Sequence, residues 1–295
     1  MSGGASALTG RTAVVTGGGG PLGRTLCAAL AEGGARVVVV DRDGGLVDQA
    51  LAELPDGDHR GVTADLLDAD ALRSVVSQVE RLGACDVLVN NAAFTGTSGV
   101  PGYAVPFEEQ TDDAFELALR LNLTVPFSLT RRLLPLLRRT GHGSVVNVSS
   151  IYGLVGPNMG LYAGTVMGNP AAYGASKGGI AQLTRYLATV LAPEVRCNAF
   201  APGGIARGQA DEFVERYEGL TPLRRMATEG DFRGVVRWLA SDESAYVTGQ
   251  VIAVDGGLDR LVTSGRRASR TRPKWRSNNH HQSRPAPLPA ATSRT

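Results

Sequence analysis

Two residues four apart, Tyr173 and Lys177 in the run Tyr173-Gly-Ala-Ser-Lys177, carry the clearest chemistry in this chain of 295 residues. A phenol with a pKa of about 10 is a poor base at neutral pH unless a nearby cation stabilises the phenolate. At positions i and i+4 of a helix the two side chains share one face, and the ammonium supplies that cation. The choice of lysine is informative, because every other basic residue before 266 is arginine. A guanidinium does not readily replace a compact ammonium whose job is to tune a neighbouring phenol. No histidine competes. His59 and His142 fall in expected loops and His280 and His281 near the C-terminus, and no cluster has metal-ligand spacing, so no metal is expected.

A second constellation is the run Thr16-Gly-Gly-Gly-Gly-Pro-Leu-Gly23, set between a β-branched run and a helical pattern. Glycines at a strand-to-helix turn let backbone approach a diphosphate closely, and the helix N-terminus offers free N–H groups. About twenty positions on, the next β-branched run ends in Asp41, where a carboxylate would accept hydrogen bonds from ribose hydroxyls and repel a 2′-phosphate. That favours NAD over NADP, with Arg42 next in sequence able to hold a 2′-phosphate instead.

The elements that must position these groups alternate along the chain. Short β-branched runs at 14–16, 37–40, around 62, 87–89, 145–148, 195–200 and 251–254 read as strands, apolar on both faces. Helical spacing covers 22–32, 45–54, 69–82, 112–139, 171–191 and 230–240. Repeated β-α-β with right-handed crossovers predicts an α/β chain with a Rossmann-type, doubly wound parallel sheet in a single domain. We expect a flexible N-terminus over 1–9, the folded domain over 10–260 and a basic, disordered tail over 261–295.

Composition excludes several functions. The formal charge of +2 is uneven: eight of the 30 basic residues and no acid lie in 265–295, which leaves 22 basic against 28 acidic residues elsewhere. A nucleic-acid role would rest on the tail alone, and its Arg, Ser and Pro content without periodicity reads as a solvated extension. Cys27, Cys85 and Cys197 lack metal or redox spacing and fit buried apolar positions in a reducing compartment. No signal-like N-terminus or membrane-spanning run is present, so a soluble cytoplasmic protein without membrane or nucleic-acid partners is expected.

Over residues 8–258 these motifs together resemble the short-chain dehydrogenase/reductase family. The resemblance implies that Thr16, Gly17, Leu22 and Gly23 form the cofactor turn, with Pro21 where the family has glycine. It implies Asp65 beside the adenine, and Asn91 and Ala92 in Asn90-Asn-Ala-Ala93 at the sheet centre and cofactor ribose. Pro202, Gly203 and Ile205 would hold the nicotinamide, followed by Arg207 where threonine is frequent. Tyr173 would be the general acid/base, and Lys177 its partner and a ribose ligand. Ser150 would hydrogen-bond the reacting oxygen, and Asn122 would hold a relay water. Ser149 is the register alternative to Ser150, although strand alternation points it away. The implied activity is NAD(P)-dependent interconversion of a secondary alcohol and a ketone by a homodimer or homotetramer. Two other readings remain: a 3-oxoacyl thioester reductase, and a non-catalytic nucleotide sensor consistent with Pro21, Ala93 and Arg207.

Ser150 and Tyr173 lie 23 positions apart, a longer interval than in most members. Because the added stretch leaves and returns at the two catalytic positions, it must border the substrate mouth. It resembles the loop of members in surface-glycan and flagellin-sugar pathways. Tyr152, Asn158 and Tyr162 offer hydrogen bonds there in place of a greasy wall, which implies a small-molecule substrate of sugar-like or polyol character.

Overall fold

The computed structural model describes residues 7–260 apart from Thr97 and Val166. The expected basic tail therefore lies outside the described residues. Leu8, within the stretch expected to be flexible, is fully buried against the first helix, and its N–H donates to Gly33 O at 2.8 Å.

Seven strands are present: β1 (Thr12–Thr16), β2 (Arg36–Asp41), β3 (Arg60–Thr63), β4 (Val87–Asn90), β5 (Gly143–Val148), β6 (Val195–Pro202) and β7 (Val251–Val254). All pair in parallel, in the order β3-β2-β1-β4-β5-β6-β7. The chain thus winds one way from β1 and the other way from β4. Between those two carboxyl ends a crevice opens, the place where such sheets bind ligands.

Period-two alternation within the valine runs supplies a core to each face. Val14, Val38, Leu88 and Val145 point to one side, where they meet α3 (Ala69–Leu82), α5 (Val125–Arg138) and α6 (Ala171–Leu191). Val15, Val37, Val89 and Val146 point to the other, against α1 (Pro21–Glu32), α2 (Gly44–Ala52) and α8 (Arg233–Ala240). Both faces are covered, as the unbroken apolar runs required.

Two helical stretches differ from the sequence reading. The pattern over 112–139 is divided into α4 (Asp112–Leu119), a π turn (Arg120–Thr124) and α5, with Val125 N–H bonding Arg120 O. The cause is Pro126: its ring would strike the Asn122 carbonyl four residues back, and it has no N–H to offer there. A helix not expected, α7 (Asp211–Leu220), packs beneath the long loop after β5.

Candidate active site

The crevice widens into a cleft of about 1020 Å³ lined from the turn after β1, the end of β4, the loops after β5 and β6, and α7. At its centre Ser150 leaves β5 in extended conformation, and its Oγ accepts the Tyr152 N–H at 3.2 Å. That leaves the serine proton for a group in the cleft. Ser149 Oγ instead donates to Lys177 O at 3.0 Å. The first two turns of α6 bring Tyr173 and Lys177 to the same spot.

Lys177 is 4 % exposed. Its Nζ donates to Val148 O at 2.7 Å and lies 5.8 Å from the centre of the Tyr173 ring. Burial pushes its pKa down to about 8. For Tyr173 burial acts the other way and raises the phenol, while a hydrogen bond with Ser150 and the charge of Arg207 pull it down. Lys177 is thus held over the ring face.

Asn122 sits in the π turn, buried behind α6. Its Oδ1 accepts from Phe94 N–H at 2.7 Å, and its Nδ2 donates to Phe94 O at 3.2 Å and Ser176 Oγ at 3.0 Å. Both amide protons are thus committed inside the protein, and Pro126 has no N–H to offer the Asn122 main-chain carbonyl. π turns of this sort recur at functional sites.

At the other end the residues fit a dinucleotide. A Cβ on Gly23 would run into Gly17 O, so only glycine allows the close turn. Asp41 Oδ2 accepts from Gly19 N–H at 3.0 Å, which fixes a carboxylate at the cleft edge beside Arg42. Gly17, Leu22, Asp65 and Ala92 line the cleft, as do Pro202, Gly203 and Ile205. Asn91 does so too, while its Nδ2 bonds Thr16 O at 2.9 Å and Gly17 O at 3.0 Å. Thr16 is a correction. It is buried beneath the cleft, and its Oγ1 accepts from Asn91 N–H and Ala92 N–H, so it braces β1 against β4 without lining the cleft.

The long loop does roof the substrate end. Tyr152 and Tyr162 share a hydrogen bond of 2.8 Å between their hydroxyls, and both line the cleft. Asn158 is a second correction: it is exposed, its Oδ1 accepts Gly160 N–H at 3.0 Å, and it does not line the cleft. An asparagine before a short helical turn satisfies that turn's N–H first. Sequence reasoning missed the floor of this region. Phe213 on α7 packs on Tyr162, and Tyr217 Oη accepts Gly204 N–H at 2.5 Å. Phe213, Val214, Tyr217 and Leu220 follow helical spacing behind Asp211 and Glu212, a signal that would have revealed α7. Among the described residues no group of three metal-binding side chains occurs, and no helix is long and apolar enough to cross a membrane.

The family described as "Enoyl-(Acyl carrier protein) reductase" matches residues 21–259. Galactitol 2-dehydrogenase (L-tagatose-forming) of Cereibacter sphaeroides is 31% identical over 261 residues, 85% of this chain and 95% of the relative. A short chain dehydrogenase from Leptospira borgpetersenii, solved with bound NAD+, superposes with a TM-score of 0.76 at 30% identity, covering 86% of this chain and 95% of its own. The chain belongs to the short-chain dehydrogenase/reductase family. A further member, from Beutenbergia cavernae and solved with bound NADP, has a TM-score of 0.76 at 33% identity over 88% of this chain and 100% of its own. As a family member the protein is an NAD(P)-dependent oxidoreductase that interconverts an alcohol and a ketone.

Proposed function

We propose that Ser150, Tyr173 and Lys177 carry out the proton side of this reaction on a neutral, polyhydroxylated substrate of sugar-like or polyol class, with NAD preferred over NADP. The observation that carries the reading is the convergence of these three side chains at one point of the cleft, beneath the paired hydroxyls of Tyr152 and Tyr162. Pro202, Gly203 and Ile205 would hold a nicotinamide, which would supply or accept the hydride when bound. In oxidation the Tyr173 phenolate takes the hydroxyl proton as the substrate carbon gives up hydride; in reduction the phenol returns it to the carbonyl oxygen. Ser150 turns the proton it otherwise shares with Tyr173 toward that oxygen and fixes its distance from the phenol. Lys177, with a pKa near 8, stays mostly protonated at neutral pH yet exchanges readily, which suits it to pass the proton toward the Asn122 carbonyl.

Asp41 supports NAD: its carboxylate would bind ribose hydroxyls and repel a 2′-phosphate. The hydroxyl-lined roof supports a polyol, as does the galactitol enzyme among the relatives. Phe115, Phe127, Tyr186 and Val190 are partly or well exposed on α4, α5 and α6, which supports a homodimer or homotetramer of a cytoplasmic enzyme. The test is a nucleotide-reduction screen over polyols and sugars, with Tyr173→Phe as the blank. Turnover of polyols with NAD, lost by about 10²- to 10⁴-fold in the variant, is expected. Turnover of lipophilic ketones alone would overturn the substrate class.

A further inference from the structure

The anion-binding turn of this chain is short of donors. Gly18 N–H bonds Val40 O, Gly19 N–H bonds Asp41 Oδ2, and Gly20 N–H bonds Gly17 O. Pro21 has none to give. Between residues 18 and 23, only Leu22 and Gly23 keep free N–H groups at the start of α1. Two N–H groups and a helix dipole face a diphosphate that carries two charges.

We propose that Arg207 makes up this deficit: its guanidinium binds the diphosphate of the dinucleotide from across the cleft. The proposal rests on the dinucleotide reading of the site. Three cations line the cleft, and the other two are placed elsewhere: Arg42 beside Asp41 at the ribose end, Lys177 on Val148 O. Arg207 is held by its own loop. Its N–H donates to Gln209 Oε1 at 2.7 Å, and Gln209 Nε2 donates back to Ile205 O at 2.7 Å. Its Nε donates to Glu229 Oε1 at 2.8 Å, and neither Nη hydrogen-bonds a described residue. Glu229 opens a short turn that packs against α1, the helix whose first residues, Pro21, Leu22 and Gly23, line the same cleft. Arg207 itself lines the cleft, with 40 % of its side chain exposed to solvent.

Calorimetric titration of the full chain with ADP-ribose, NAD and adenosine tests this without turnover. Arg207→Gln is expected to weaken ADP-ribose and NAD about tenfold and leave adenosine unchanged, the size of a charge-assisted hydrogen bond. Adding Pro21→Ala, which restores an N–H, should recover part of that loss. Glu229→Gln, which removes a competing carboxylate, should bind ADP-ribose as well as wild type or better, and serves if Arg207→Gln does not fold by circular dichroism. Unchanged ADP-ribose affinity in Arg207→Gln, or a tenfold loss in Glu229→Gln, would overturn the proposal. So would intact ADP-ribose binding with a raised KM for a sugar acid over the matching polyol, which would assign Arg207 to a substrate carboxylate. If wild type binds none of the nucleotides, the dinucleotide reading itself fails.

Discussion

Replacing Lys177 with methionine is expected to make a dead enzyme that is more stable at neutral pH. Burial lowers the pKa of Lys177 from 10.5 to about 8, and at about 1.4 kcal/mol per unit the fold carries a cost of about 3 kcal/mol for keeping the ammonium charged. The folded value lies below the unfolded one, so between these two pH values the unfolded chain binds more protons and stability rises with pH. Below about pH 8 the full cost is present. Methionine removes it but leaves the buried Val148 carbonyl without its donor, a loss of about 1–2 kcal/mol. The net expectation at pH 7 is a gain of about 1–2 kcal/mol, reversing to a deficit of about 1–2 kcal/mol above pH 10.5. Urea unfolding of both proteins at several pH values, at one protomer concentration and without nucleotide, measures the difference. A variant less stable at pH 7 by an amount that does not change with pH would refute the reasoning, since it would mean that contacts of the ammonium outweigh its desolvation.

Asp41→Ala should weaken NAD about tenfold and narrow its advantage over NADP, read from the two Kd values. Tyr217→Phe strips Gly204 N–H of its acceptor; we expect a loss of about 1–3 kcal/mol in urea unfolding and a raised KM for the nucleotide. Asn122→Leu leaves the Phe94 backbone unpaired inside the protein and should cost about 2–4 kcal/mol by the same measurement. A cost below 1 kcal/mol would show that the π turn, not the amide, holds that segment.

The sheet was legible because valine runs such as 37–40 can only be buried on both faces, and parallel pairing follows from the helical stretches between them. Tyr173 and Lys177 were legible because four residues on a helix fix a shared face whatever surrounds it. Less could be read where one residue has two competing roles. Thr16 belongs to the cofactor motif, yet its hydroxyl is the nearest acceptor for two backbone N–H groups at the β1–β4 junction, and burial decided between them. Asn158 stands in a loop that borders the cleft, yet the Gly160 N–H two residues on captured its carboxamide oxygen. Arg207 acts on Tyr173 through space across 34 positions of sequence, a relation no spacing rule contains.

The roof and α7 depend on each other, and this bears on how specificity is set. Leu161 from the roof joins Phe213, Tyr217 and Met226 in a small core separate from those of the sheet. Arg216 ties the two pieces from outside, its Nη1 donating to Ala163 O at 2.6 Å and Leu161 O at 3.3 Å. Tyr162 therefore owes its place beside Tyr152 to a helix some fifty positions later, and Tyr217 of that same helix secures the Gly204 backbone between Gly203 and Ile205. A change on α7 moves both the hydroxyl pair and the Gly203–Ile205 backbone together. Exchanging the long loop without its α7 partner would leave an apolar face open to water and the hydroxyl pair unaligned, so substrate class in this protein is a property of the two segments jointly.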